Sequence, residues 1–96
     1  MSHKENKIQQ SAALLKAIGH PIRVQIVRCL SKNIDMTVTQ LSQTLSIHQP
    51  VMSLHLAVLR KHNIIKVKKE GKKSIYSIID VSVKQIINII YHTRKI

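Results

Sequence analysis

One short stretch of the chain, residues 49–61, carries small and basic side chains on one side of a predicted helix. At helical spacing, one arc of this stretch holds Pro50, Ser53, Ala57, Arg60 and Lys61. The arc is small and polar near its start and basic at its end. Small side chains allow close approach to base edges, and cations neutralise phosphates. The pattern therefore predicts contact with a nucleic-acid duplex.

Two short helices separated by a tight break position this arc. The first begins at Thr37, where Gln40 three residues later completes a capping box. A break follows at residues 46–48, and the second helix has Pro50 in its first turn, where a missing N–H costs nothing. Both helices carry apolar residues at helical spacing, Val38, Leu41 and Leu45 in the first and Met52, Leu56 and Leu59 in the second. The last three share the face of the second helix that must be buried. Residues 37–62 are therefore interpreted as a helix-turn-helix.

The composition supports a nucleic-acid partner. The 96 residues suit a single domain, 1–96, and 44% hydrophobic residues suffice for a small core. Sixteen Lys+Arg against four Asp+Glu give a net charge of +12, which an acidic partner would relieve. Nucleic acid is the first candidate and an anionic membrane surface the second. Two tyrosines without Phe or Trp argue against a base-stacking platform.

The segment 64–79 predicts a β-hairpin with a basic tip. Apolar and polar residues alternate on both sides of Gly71, which supplies the positive φ that a tight turn needs. Five lysines lie between Lys66 and Lys73. A basic hairpin directly after a recognition helix is a wing, and its natural target is the phosphate backbone. The alternative is a solvated edge whose lysines prevent strand-to-strand aggregation.

The remaining segments frame these two motifs. We expect residues 1–6 to be a loose tail, residues 7–18 and 20–31 to be helices, and residues 32–36 to be a connector. A last helix over 81–95 carries more isoleucine than a monomer of this size can easily cover. Together with the first helix it predicts a dimer interface through Ile8, Ala12, Leu15, Ile86, Ile87 and Ile90.

Three blocks of the chain, 14–30, 37–65 and 68–78, resemble the ArsR/SmtB family of winged helix-turn-helix transcriptional repressors. Most specific are the GHPIRVQI opening and the QPVMSLHLAVLR helix followed at once by a basic hairpin. The resemblance covers about residues 8–92. It implies a mainly α fold of order α-α-α-α-β-β-α with a small β-hairpin, forming a homodimer through its first and last helices. It also implies binding to an inverted-repeat operator, with release when a ligand binds.

The resemblance also implies which residues touch DNA. The family's base-reading positions fall on Gln49, Ser53, Leu54 and His55, and phosphate contacts fall on Arg60 and the wing lysines. With Pro50 of the arc, the predicted DNA contacts are Gln49, Pro50, Ser53, Leu54, His55, Arg60, Lys69, Lys72 and Lys73. Leu54 departs from the polar residue, often His, that many members have there. A leucine could contact a thymine methyl but could not donate a hydrogen bond.

The sensing sites of the family are not matched in this sequence. No cysteine lies in residues 35–39, where many relatives bind a metal. Asp80 matches the first ligand of a second metal site, but Ser82 replaces the next histidine and His92 is displaced. Cys29 alone cannot close an intramolecular disulfide. We therefore expect no metal and no cofactor. Cys29 is interpreted as a small core residue, with an isolated thiol sensor as the alternative, and the small-molecule effector is left open.

The sequence offers little for enzyme chemistry, because its four acidic residues are scattered and its two glycines form no phosphate loop. No run of 18 apolar residues exists, so we expect a cytoplasmic protein bound to the bacterial nucleoid and not to a membrane. The sequence thus predicts a homodimeric, sequence-specific regulator of transcription on double-stranded DNA, acting as a repressor and not as an enzyme. The alternatives are a winged-helix module that binds proteins and a non-specific architectural DNA binder.

Overall fold

The computed structural model describes residues 3–94 and contains five helices and three strands in that range. Their order is α1 (His3–Ile18), α2 (Pro21–Lys32), β1 (Met36–Thr37), α3 (Val38–Leu45), α4 (Gln49–Lys61), β2 (Ile65–Glu70), β3 (Lys73–Ile78) and α5 (Val81–Thr93). The mainly α, winged helix-turn-helix fold is confirmed, with α3 and α4 as the helix-turn-helix and β2–β3 as the wing.

One strand was absent from the predicted order α-α-α-α-β-β-α. β1 pairs with β3 antiparallel, Met36 opposite Tyr76 and Thr37 opposite Ile75, so the sheet order is β1-β3-β2. The sequence predicted only a connector here, because two residues are too few to show alternation. The added strand ties the start of the helix-turn-helix to the base of the wing.

The two terminal helices differ from their predicted limits. α1 begins at His3, so residues 3–6 are helical and the expected loose tail is corrected; residues 1 and 2 lie outside the described part. Lys, Glu and Gln favour helix, and Glu5 in the first turn complements the helix dipole. α5 ends at Thr93 with Arg94 as its C-cap, and Lys95 of the predicted helix lies outside the described residues.

Local capping defines where the central helices begin. The predicted capping box is confirmed: Gln40 N–H donates to Thr37 Oγ1 at 3.1 Å, and Thr37 N–H donates to Gln40 Oε1 at 2.9 Å. At the start of α2, His20 Nδ1 accepts from the Ile22 N–H at 3.1 Å. Ser46, with a left-handed φ of 54°, ends α3 and turns the chain toward α4.

A single hydrophobic core joins the helices to the base of the wing. Its fully buried members include Ile26, Leu41, Met52, Leu56, Leu59, Ile64 and Val83. Cys29 is buried among them, and its Sγ lies 3.4 Å from Met36 Sδ, so the interpretation of Cys29 as a core residue is confirmed. Burial raises the pKa of the Cys29 thiol, with Lys32 opposing that shift. A thiol held protonated in this way is a weak nucleophile.

Candidate nucleic-acid interface

The recognition helix α4 has a fully buried inner face. Met52, Leu56 and Leu59 are 0%, 1% and 0% exposed, and they anchor α4 on the core beside Leu41 of α3. Because residues at i, i+4 and i+7 share one side of a helix, the opposite side of α4 must face solvent. The predicted buried face of this helix is therefore confirmed.

The outer side of α4 holds most of the residues predicted to contact bases. Its exposed residues are Gln49, Pro50, Val51, Ser53, Leu54, Ala57, Arg60 and Lys61. Arg60 and Lys61 occupy the last turn, where cations complement the helix dipole. The helix contains no acidic residue. Its outer side can therefore approach a polyanion without repulsion, small side chains first and basic ones at the far end.

His55 lies in a different environment from the other predicted base-reading residues. It is half-buried, its ring centroid is 4.3 Å from that of His20, and its Nδ1 is enclosed without a hydrogen-bond partner among the described residues. Burial lowers the pKa of His55, and His20 and Arg23 lower it further. The residue thus joins α4 to the start of α2 in a setting that disfavours its charged form, and its contact with DNA stays a prediction.

Arg23 is a residue that the sequence analysis did not select. It is half-buried on α2, its Nε is enclosed without a partner among the described residues, and its charge acts on His55. His20, Arg23 and His55 therefore form a group of basic side chains where α2 meets the recognition helix. Residues 20–23 lie far from His55 along the chain, so no local spacing could have revealed this contact.

The wing is built as predicted, and its tip is basic. Gly71 has the expected positive φ, 59°, and Glu70 pairs with Lys73 across the turn. Lys72 lies in the turn and Lys73 is the first residue of β3, and both side chains are exposed. Their position at the outermost point of the hairpin leaves both ammonium groups available to phosphate oxygens.

The other wing lysines are partly engaged within the hairpin. Lys69 Nζ donates to Ser74 Oγ at 2.8 Å, and Lys68 Nζ lies 3.1 Å from Glu70 Oε1. The second pair is well exposed and adds little to stability. It does, however, offset one positive charge of the wing. Lys69 lies near the tip of the wing, where its ammonium group bonds to Ser74 on the opposite strand. Its contact with phosphate stays a prediction.

The helices α1 and α5 expose the predicted dimerisation residues, with one exception. Ile8, Leu15 and Ile90 are 60%, 54% and 51% exposed, and Ala12 and Ile86 are also exposed. An apolar groove of about 370 Å³ runs between these helices, lined chiefly by Leu15, Ile18, Val24, Ile86, Ile90 and Tyr91. The exception is Ile87, which is 5% exposed and packs in the protomer's own core. Ile87 nevertheless lines the same groove as Ile86 and Ile90, so its part in a dimer contact stays a prediction.

Arg28 fixes α5 to α2 and was also not selected by the sequence analysis. Its Nη1 donates to Asn88 Oδ1 at 3.1 Å, and its guanidinium carbon lies 3.6 Å from the centre of the Tyr91 ring. The hydrogen bond and the cation–π contact hold α5 at one position on the domain. The partners are some sixty residues apart in the chain, so the sequence gives no sign of them.

Potential metal ligands do not cluster in the described part of the chain. Among residues 3–94, no three His, Cys, Asp or Glu side chains converge into a group that could hold a metal ion. Asp80 caps α5 by accepting from the Val83 N–H at 3.1 Å and from Ser82 Oγ at 2.6 Å. None of the described helices is both long and apolar enough to cross a membrane.

Comparison with known proteins identifies the family. The sequence profile of the bacterial regulatory protein arsR family matches residues 20–67. The HTH-type transcriptional regulator MJ1325 of Methanocaldococcus jannaschii is 38% identical over 84 residues, which are 88% of this chain and 94% of that protein. The transcriptional repressor PagR of Bacillus anthracis is 35% identical over 83 residues, which are 86% of this chain and 83% of that one.

Solved structures agree with this assignment. The crystal structure of PagR matches with a TM-score of 0.81 at 34% identity, covering 90% of this chain and 98% of that chain. Reduced HlyU from Vibrio cholerae matches with a TM-score of 0.83 at 28% identity, covering 98% and 100%. HlyU is named a transcriptional activator, and its sequence is 29% identical over 91 residues, 95% of this chain and 83% of that protein. This chain therefore belongs to the ArsR family and is a winged helix-turn-helix, DNA-binding regulator of transcription.

Proposed function

We propose that two copies of this chain form a repressor that binds an inverted-repeat operator in double-stranded DNA. The observation that carries the proposal is the outer side of α4, which is exposed, free of acidic residues and basic at its C-terminal end. In this role α4 enters the major groove, and Gln49 and Ser53 meet base edges. Arg60, Lys72 and Lys73 meet phosphates, and the regulator acts on the chromosome in the cytoplasm.

The exposed apolar side chains of α1 and α5 support the homodimer. An isolated protomer would present Leu15, Ile86, Ile90 and Tyr91 to water around an apolar groove. A second copy related by a two-fold axis buries the same surface on both chains. The same axis places two α4 helices to read two half-sites about one DNA turn apart.

Repression follows if the operator overlaps a promoter, because the bound dimer then blocks access to it. The name of PagR, the more similar of the two functionally named relatives above, supports this direction, whereas the name of HlyU supports activation. A reporter gene placed behind the selected operator distinguishes the two. A repressor lowers reporter output when the protein is supplied, and a rise in output would assign activation.

Two titrations test the proposed DNA binding. With several phosphates neutralised per dimer, log affinity should fall linearly with log salt at a slope of about −0.9 per phosphate. A response independent of salt would favour a protein-binding module. In competition, a regulator should prefer its operator over random duplex by about 10³-fold or more. A preference near one would favour an architectural DNA binder.

A further inference from the structure

The outer side of α4 exposes several apolar side chains. Leu54 is 69% exposed and Val51 is 38% exposed, and Pro50 and Ala57 are also exposed beside them. Val51 and Ala57 lie three residues before and after Leu54, about 4.5 Å along the helix axis in each direction. The residues form one apolar strip, and we name Val51, Leu54 and Ala57 the α4 strip.

The α4 strip is separate from the apolar surface of the dimerisation helices. The groove beside α1 and α5 is lined by residues of α1, α2 and α5, by Gly19 of the α1–α2 turn, and by none from α4. On α4 itself the core takes Met52, Leu56 and Leu59, which are at most 1% exposed. Neither the protomer's core nor the proposed dimer contact therefore accounts for an exposed leucine at position 54.

The major groove offers one apolar group to such a side chain. Base edges there present hydrogen-bond donors and acceptors, and the exception is the C5-methyl group of thymine. Leu54 can neither donate nor accept a hydrogen bond. We propose that Leu54 is a specificity-determining residue that packs on a pyrimidine C5-methyl group in each operator half-site. The inference rests on the proposed function, since it requires α4 to lie in the major groove.

The residues around Leu54 can contact the adjoining base pairs and exclude water from the methyl group. Ser53 and Gln49, the hydrogen-bonding side chains on the same exposed side, are free to select the adjoining base pairs. Val51 and Ala57 extend the apolar strip, so water is excluded around the methyl group when the helix is seated. Each half-site therefore has a required thymine whose contribution comes from its methyl group and not from its hydrogen bonds.

Replacement of thymine by deoxyuracil tests the proposal, because it removes the methyl group and leaves base pairing intact. The operator is first selected from random duplex, and each thymine is then replaced in turn. We expect one thymine per half-site at which affinity falls about fourfold, the effect of one buried methyl group. Replacement in both half-sites should give roughly the square of that factor. At the same position, 5-methylcytosine paired with guanine should bind better than unmethylated cytosine.

Two variants assign the effect to the side chain. Leu54→Ala should bind the thymine and uracil operators equally, and the high exposure of Leu54 makes a folding defect unexpected. Lys72→Ala, the control, should weaken both operators and keep their ratio. If wild type binds its operator specifically and no thymine shows a uracil effect, the role of Leu54 is overturned while the proposed function stands. If no operator can be selected, the proposed function itself fails.

Discussion

The helices α4 and α5 have the same length, 13 residues, yet they complete their packing in different ways. α4 buries Met52, Leu56 and Leu59 against its own domain. α5 buries Val83 and Ile87 and exposes Ile86, Ile89, Ile90 and Tyr91. α4 leaves a narrow apolar strip exposed beside basic side chains, whereas α5 leaves a surface of large apolar side chains exposed.

This difference indicates two kinds of partner. The outer side of α4 ends in Arg60 and Lys61 and carries the small Ser53 and Ala57 beside the exposed Leu54, which suits a polyanion approached at close range. The outer side of α5 carries large aliphatic side chains, whose burial is favourable by about 25 cal/mol per Å². We therefore propose that a second copy of the chain covers the outer side of α5 and that DNA contacts the outer side of α4.

The largest expected effect comes from a charge on the outer side of α5. Ile90→Glu should convert the dimer to a monomer, because a carboxylate would be buried in an apolar contact. Operator affinity should fall by about 10²–10⁴-fold, the advantage of linking two binding events. Sedimentation equilibrium and operator titration measure the two effects. Ile34→Glu is the matched control, since Ile34 is 84% exposed outside both terminal helices. An equal loss of dimer and of operator affinity in both variants would contradict the assignment of α5 to the dimer contact.

The next largest effect is expected at the closest approach of α4 to DNA. Ser53→Arg should reduce a preference of about 10³-fold for the operator to near one, because a long cation fills the space and binds phosphates of any sequence. Ser53→Ala keeps the small side chain and should retain most of the discrimination. Competition between operator and random duplex provides the measurement. Retained specificity in the arginine variant would remove Ser53 from the interface.

The wing should contribute affinity without sequence preference. Lys72→Ala with Lys73→Ala removes four charges per dimer, so the slope of log affinity against log salt should decrease by up to about four. All duplexes should be weakened alike, by about tenfold or more at low salt. The charge-preserving pair Lys72→Arg with Lys73→Arg should restore most of the slope. A changed sequence preference in the alanine variant would place the wing on base edges.

The smallest effect concerns His55, which couples α4 to α2. Because burial lowers its pKa, the unfolded chain binds more protons than the folded one, and the free energy of unfolding should decrease as pH falls below about 6.5. His55→Gln should flatten this dependence in urea unfolding at several pH values. Burial lowers the pKa of His55 more than the charges of His20 and Arg23 do, and salt screens only the charges. Most of the dependence of the unfolding free energy on pH should therefore persist at 1 M salt. An unchanged slope in the glutamine variant would contradict the coupling.

Local patterns in the sequence predicted the elements that local forces define. The capping box of Thr37, the buried face of α4 and the turn at Gly71 each depend on residues a few positions apart, and all are confirmed. The start of α1 at His3 was not predicted, because a polar segment without apolar periodicity looks like a loose tail even when its residues favour helix. The burial of Ile87 in the protomer's core was not predicted, because a run of isoleucines does not show which side faces the core.

The unpredicted features of the site depend on contacts between distant segments. β1 is a strand only because Met36 meets Tyr76 of the wing. The contact of His20 with His55 and the bond from Arg28 to Asn88 bring together helices separated by tens of residues. The hydrophobic periodicity of a sequence does not reveal contacts between distant residues. These contacts nevertheless determine how α4 and α5 are held relative to α2.

Selection of bound sequences from random double-stranded DNA, with the purified protein, tests the central claim most directly. Two α4 helices held by a dimer should select an inverted repeat whose half-site centres lie about 10 base pairs apart, with a fixed spacing. A single unrepeated motif, or half-sites recovered at any spacing, would contradict the paired arrangement of α4 helices that α1 and α5 are proposed to enforce.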